Sequence, residues 1–373
     1  MKLQVLQENF NKGINITSRF TSIRAQLPVL SNIMLSAKSN KLYLSATNLE
    51  NSVSLSIGAK VEKEGEITVP AKVINEIVST LNPGSLNIEV DKDIVKLSAD
   101  GFNTSISGMN SSDFPAVPKK IGKDAVSLKT SDFVKSLNKV LFSTSSDETR
   151  PLLTGVLVML ASKKVSMVAT DGFRLSKSNF SADIGKDFED VILPKGILGE
   201  LVKLGSSEEE MSYSFKKGDS QVVFRLGSVV LSSRVLEGDY PDFKKIIPKE
   251  SKINVNLDKT EFHQAIKLAS VFARDSANVV KMEINSKGLS ISSESQYSGS
   301  QVSKIDTKIE GNSVLAKDKF EIAFNYRFID DFLNVVEGDD VEILLNLPNS
   351  PGVFKDPMDK KYLHLIMPVK LQS

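Results

Sequence analysis

The chain has 373 residues, 40% of them hydrophobic and 25% charged, with 47 lysine plus arginine against 46 aspartate plus glutamate, for a formal net charge of +1. Globular averages of this kind favour neither a disordered nor a membrane class, and the near-neutral balance leaves nucleic-acid binding only to charges sorted onto one surface. With no cysteine, and with His263 and His364 about a hundred residues apart, disulfides, thiolate metal sites, cysteine nucleophiles and His-rich metal sites all drop out, and no cofactor is expected.

The first third opens with Leu6, Phe10, Ile14 and Phe20, spaced close to one helical face, with Lys12 and Arg19 off that face. Strands are predicted at Ile33 to Ala37, Leu42 to Ala46 and Val53 to Ile57, separated by Ser, Asn and Lys turns. Ile67-Thr68-Val69-Pro70 then runs into a helix whose apolar face is Val73, Ile74, Ile77, Val78 and Leu81. Pro70 suits its start and Pro83-Gly84 its stop. Three more alternating segments end at Asp113-Phe114-Pro115.

The second third repeats this order. Phe133, Leu137, Val140 and Leu141 form its first helical stripe, and Ile197, Leu198, Leu201 and Val202 its second, entered through Leu193-Pro194-Lys195. In the last third the stripes are Phe262, Ile266, Ala269, Ala273 and then Phe328, Ile329, Phe332, Val336, the second entered through Phe324-Asn325-Tyr326. No apolar run approaches the roughly 18 residues of a membrane helix, and Met1-Lys2-Leu3-Gln4 begins no signal peptide, so a soluble, cytoplasmic protein is expected.

The repeat is clearest from Arg150 to Ser176, read as a hairpin with its tip at Thr170-Asp171-Gly172. Aligning Leu42, Val165 and Leu289 gives spacings of 165 − 42 = 123 and 289 − 165 = 124. Pro70 to Pro194 is again 124, and the exits Phe114-Pro115, Tyr240-Pro241 and Met367-Pro368 recur at 126 and 127. Three copies of one α+β unit follow, each with two helices and about eight strands, with boundaries near Lys123 and Glu250: domains 1–123, 124–250 and 251–373. The period is far longer than that of solenoids or propeller blades. An arc of three such units, helices on one side and sheets on the other, closes by head-to-tail dimerisation into a pseudo-sixfold ring.

The residues Ala169-Thr170-Asp171-Gly172-Phe173-Arg174-Leu175, Tyr240-Pro241-Asp242-Phe243 and Met367-Pro368-Val369-Lys370-Leu371 carry a resemblance over the whole chain to the bacterial replicative sliding clamps, the beta subunits of DNA polymerase III. The resemblance implies three DNA-clamp domains, each with two helices packed on antiparallel sheets, and a non-catalytic homodimeric ring encircling duplex DNA. Its partners are the replicative polymerase, the clamp loader and other clamp-motif proteins. It also implies a partner-peptide pocket of Leu153, Thr170, Gly172, Phe173, Arg174, Leu175, Pro241, Lys245, Ile246 and Leu365, with Phe328, Met367, Pro368, Val369 and Lys370 as its second half. Apolar walls of this kind take an aromatic and a leucine from an extended peptide, and methionine adapts to different partners. Phe173 stands where some members carry histidine, and Lys245 and Lys370 where they carry arginine, which alters peptide preference because lysine lacks the planar fork.

Basic candidates for the DNA-facing helices are Lys12, Arg19, Lys135, Lys139, Lys203, Lys259, Lys267 and Arg274, with Arg24, Lys72 and Lys195 near helix ends. Sliding needs phosphate contacts that are individually weak and blind to sequence. The subunit contact implied by the resemblance falls on Val271 and Phe272 of the last third, against a strand near Thr104 and Ile106 of the first. Two rivals stand beside this reading: a hydrolase using Asp171 and Asp242, and a protein-interaction scaffold that never contacts DNA. The first lacks a phosphate-cradling loop, a metal-ligand cluster or a nucleophile motif.

Overall fold

The computed structural model describes residues 1–22, 27–205, 208–216, 218, 220–285, 288–310 and 319–370. The chain forms two compact units, Met1–Thr130 with Lys203–Val235, and Ser131–Val202 with Leu236–Ser373.

In the first unit a five-stranded sheet runs β5 (Lys60–Lys63), β1 (Lys2–Leu6), β7 (Ser85–Asp91), β8 (Ile94–Ala99), β9 (Phe102–Ser107). An eight-stranded sheet runs β10 (Val126–Lys129), β15 (Glu210–Lys216), β16 (Gln221–Leu226), β17 (Val229–Arg234), β4 (Asn51–Gly58), β3 (Lys41–Thr47), β2 (Asn32–Lys38), β6 (Gly65–Pro70). Helices α1 (Gln7–Ser18) and α2 (Ala71–Thr80) bury Phe10, Ile14, Ile74 and Val78 in one cluster with Leu3, Leu35, Leu44, Leu86 and Leu97 from both sheets.

β1 was not anticipated. Only Leu3 and Val5 point inward from it, too few to set a period of two. Leu6 therefore ends a strand rather than opening a helix and lies exposed, while Phe20, beyond the end of α1, is buried. Val73, assigned to the apolar face of α2, points outward, and Ile74 and Val78 carry the burial.

In the second unit a nine-stranded sheet runs β14 (Val191–Pro194), β11 (Gly155–Ala161), β12 (Lys164–Thr170), β13 (Arg174–Ser181), β26 (Tyr362–Ile366), β25 (Gly352–Lys355), β24 (Asp340–Leu345), β18 (Ile253–Asp258), β22 (Lys308–Glu310). A four-stranded sheet runs β21 (Gly299–Ile305), β20 (Gly288–Ser295), β19 (Val279–Asn285), β23 (Phe320–Asn325). The remaining helices are α3 (Thr130–Leu141), α4 (Lys195–Leu204), α5 (Lys259–Ala273) and α6 (Tyr326–Val335). Side-chain caps start two of them. Asp258 accepts the Glu261 amide at 2.8 Å before α5, and Asn325 accepts the Arg327 amide at 3.0 Å before α6. Phe262, Ile266, Ile329 and Phe332 from these helices join a cluster with Val255, Met282, Ile291 and Ile343.

The strands of the middle third are shared out. β10 and β15 to β17 extend the sheet of β2 to β4 and β6, while β11 to β14 extend that of β18 and β24 to β26.

Candidate docking site

The turn Thr170–Arg174 joins β12 to β13 and is held by its own side chains. The Thr170 hydroxyl donates to the Arg174 carbonyl at 2.6 Å and accepts from the Gly172 amide at 3.1 Å. Asp171 Oδ1 accepts from the amides of Phe173 and Arg174 at 2.9 and 3.0 Å, the local capping that makes aspartate a turn residue. Gly172 sits at φ 93°, where a side chain is disfavoured, and a Cβ there would lie 3.1 Å from Arg150 Nη1. The turn thus holds the Phe173 ring in solvent, 60% exposed.

The end of the chain lies across this turn. Ile366 pairs with Arg174, the Met367 amide donates to the Phe173 carbonyl at 2.8 Å, and the Val369 amide donates to the Ala323 carbonyl at 2.8 Å. Met367 and Val369 are exposed, as is Ile246 at the end of the 3-10 turn Phe243–Lys245, whose Phe243 is anchored in the core. Pro241, Lys245 and Lys370 are exposed, and Pro368 and Phe328 half-buried. Lys245 lies 3.1 Å from Asp242 and draws that carboxyl below its ordinary pKa by hydrogen bonding.

Leu153, Thr170, Leu175 and Leu365 are buried; Leu175 and Leu365, the floor of the site, pair directly across β13 and β26 and pack with Phe243 and Val353. Arg174, assigned to the partner-peptide pocket, is only 10% exposed at its side chain and already bonded within the chain. Its Nε donates to Asp171 at 3.1 Å and Nη2 to the Phe142 carbonyl at 2.7 Å, and Nη1 pairs with Asp331 of α6. Its guanidinium lies 5.3 Å from the Phe142 ring and 4.5 Å from that of Phe328. Arg174 therefore joins the turn to the end of α3 and to α6.

A polar line behind the floor was missed. Ser143 and Ser176 hydroxyls are 2.8 Å apart, and Ser176 lies 2.7 Å from His364 Nδ1. His364 is fully buried and stacked on Phe332, and burial, then the Arg174 charge, lowers its pKa to about 3. The signal available was a histidine inside the otherwise apolar strand Tyr362–Ile366.

The basic candidates separate. Lys12, Arg19, Lys72, Lys195, Lys203, Lys267 and Arg274 are exposed, Lys72 within 4.0 Å of Glu76. Lys135 is exposed but bonded to Glu337 at 2.6 Å, which raises its pKa. Lys259, half-buried, donates to the Val336 carbonyl at 2.6 Å. Lys139 is a correction: its side chain is 3% exposed, 2.7 Å from Asp359, and it caps the Tyr362 ring, so it faces the core and not DNA. Arg24 lies outside the described residues.

Of the subunit-contact residues, Val271 is exposed and Phe272 half-buried, within 3.9 Å of the Cβ position at Gly299 on β21. Thr104 is half-buried on β9, and Ile106 is buried in the core of the first unit, so its side chain is not available to a partner. Among the described residues no three acidic or histidine side chains are arranged to hold a metal ion, and no helix is long and apolar enough to cross a membrane.

Three copies of a helix-pair and sheet unit with shared outer strands define the DNA-clamp fold. Family models of the DNA polymerase III beta subunit match in three parts, the N-terminal domain over residues 1–118, the central domain over 127–242 and the C-terminal domain over 244–370. The beta sliding clamp of Synechococcus elongatus is 31% identical over all of both chains, and that of Staphylococcus aureus 28% over 99% of each. The Bacillus subtilis sliding clamp structure superposes with a TM-score of 0.92 at 26% identity, covering all of both chains. The chain belongs to the DNA polymerase III beta-subunit family, the beta sliding clamps. That family is the non-catalytic processivity subunit of the polymerase.

Proposed function

We propose that the chain consists of clamp domains 1–123, 124–250 and 251–373, and that two copies close head to tail into a ring that encircles duplex DNA in the cytoplasm. The ring tethers the replicative polymerase, the clamp loader and other proteins by short peptides docked at Phe173, Ile246, Met367 and Val369. Lys12, Arg19, Lys72, Lys195, Lys203, Lys267 and Arg274 supply weak, salt-sensitive phosphate contacts, and topology supplies retention. The observation that carries the ring is a matched pair among the sheet ends. β4 is continued by β17 and β13 by β26, each edge covered by a strand of the following third. β21, the matching edge of the last third, and β9, the matching strand of the first, end their sheets without a partner among the described residues. A second copy satisfies both, turning two aggregation-prone edges into two seams.

The test loads the protein onto nicked circular DNA with a clamp loader and linearises half of the sample. Retention on circles and loss from linear DNA is expected. Equal loss from both, with a dimer in sedimentation, would leave only a protein-interaction scaffold.

A further inference from the structure

The joint between α1 and β4 in the first unit and that between α3 and β13 in the second are built to one plan. Aligned from their first residues, Gln7 and Thr130, the two helices bury matching positions 130 − 7 = 123 residues apart, so Gly13 stands for Ser136 and Ile16 for Lys139. The strands agree. β17 meets β4 with Val229 opposite Leu55, and β26 meets β13 with Tyr362 opposite Ser178, where 178 − 55 = 123 again. A Cβ at Gly13 would lie 3.3 Å from the Leu55 side chain, and the Ser136 hydroxyl donates to that of Ser178 at 2.9 Å, so helix and strand face each other through the same positions in both joints. This register sets Met367 against Arg234 rather than Tyr240, the counterpart that the exit spacing gave it.

In the second joint the space between helix and strands is filled from within the chain. The buried Tyr362 ring stacks on Phe332 with centroids 5.9 Å apart, and the Lys139 ammonium lies 5.6 Å from the Tyr362 centroid and 2.7 Å from Asp359. In the first joint each of these fillers is cut back. Val229 replaces Tyr362, Ile16 replaces Lys139 and Gly13 replaces Ser136. The hairpin that carries Asp359 is shortened as well: its paired residues Phe354 and His364 are 364 − 354 = 10 apart, and their counterparts Phe224 and Leu231 are 231 − 224 = 7 apart. What remains is a cavity of about 240 Å³ walled by Ile16, Leu55, Ile57 and Val229, with the exposed Lys12 and Glu208 completing its lining. Ile16, Ile57 and Val229 are half-buried, so this apolar wall is open to solvent.

We infer that the cavity is a binding site for one small aromatic molecule, whose ring takes the place that the Tyr362 ring holds in the second joint. An apolar cavity of about 150 Å³ already holds a benzene ring, so the volume admits a phenol or an indole and is too small for a nucleotide or a peptide segment. Lys12 and Glu208 are of opposite sign and line the same cavity, so neither an anion nor a cation is selected. A neutral hydroxyl or ring N–H fits, donating to the Glu208 carboxylate.

Para-cresol, the tyrosine side chain as a free molecule, is titrated into the full chain with methyl-labelled isoleucine, leucine and valine. Saturable shifts of the Ile16, Leu55 and Val229 methyl signals are expected, with a melting temperature that rises with cresol concentration. Val229→Tyr, which builds the ring of the second joint into the first, and Ile16→Phe, which fills the cavity from the helix, should each abolish the shifts of Leu55 and Ile57. Methylcyclohexanol, similar in size but puckered, should bind more weakly. Methyl signals that stay fixed in the parent, shifts at Leu55 and Ile57 that persist in either filled variant, or equal binding of the saturated ring overturn the inference.

Discussion

His364 shows how a single buried side chain ties the docking floor to pH. Its pKa of about 3 in the folded chain lies below the ordinary 6.5, so it is neutral when folded and takes up a proton on unfolding below that value. The stability associated with this is complete above pH 6.5 and is lost as pH falls towards 3, at up to about 1.4 kcal/mol per unit. Between pH 7 and pH 5 the loss is about 2 kcal/mol. Other groups titrate too, Glu321 among them, held at about 2 by hydrogen bonds from Lys319 and Lys281, so the difference between variants is what isolates His364. Urea midpoints measured at both pH values should fall more for the parent than for His364→Phe. Equal falls would mean that the imidazole is not held neutral. Composition could not foretell this, because a histidine in a strand reads the same whether its ring meets water or, as here, Phe332.

The elements themselves were largely legible. Stripes such as Phe262, Ile266, Ala269 and Ala273 emerge as the buried face of α5, since a period of 3.6 over four turns leaves little ambiguity. What escaped was set by contacts distant in sequence. Lys139 lies on the exposed side of no pattern, yet Asp359 and Tyr362, some 220 residues on, take it inside. Arg174 likewise reads as a surface cation until α6 brings Asp331 to it. The arginine fork reaches the turn, α3 and α6 at once, which a lysine cannot do. Arg174→Lys and Asp331→Asn should each weaken binding of a Gln-Leu-Asp-Leu-Phe peptide about tenfold, as misplacement of Phe173 against Met367, while the unfolding midpoint moves less than in Leu175→Ala, which opens the core. Anisotropy titrations with parallel thermal melts separate the two effects. Full affinity in Asp331→Asn would show that α6 does not position the turn.

At the scale of the whole molecule the three hairpins predict how two chains register. Leu289 pairs with Ile305 as Leu42 does with Ile57 and Val165 with Phe180, so Gly299, six residues before Ile305, matches Asn51 and Arg174. The isolated bridges Thr68 to Met109 and Ile192 to Leu236 align the strand ends, so Ile106 matches Ser233, each three residues before its bridge. Ser233 pairs with Asn51. Gly299 of one chain should therefore pair with Ile106 of its partner, a register whose sum is 299 + 106 = 405, which sets Gln301 against Thr104 in the close, non-hydrogen-bonded kind of pair. The half-buried Phe272 lies beside β21 to cover the seam. The chain has no cysteine of its own, so the register can be read covalently. Thr104→Cys with Gln301→Cys is expected to oxidise to a covalent dimer on a non-reducing gel, because opposed residues of this kind fall within disulfide reach. Asn103→Cys with Gln301→Cys, one residue out of step, should stay monomeric there. Cross-linking of the offset pair alone would mean that the seam does not repeat the internal joints, and the derivation of the ring from the open sheet ends would fail with it.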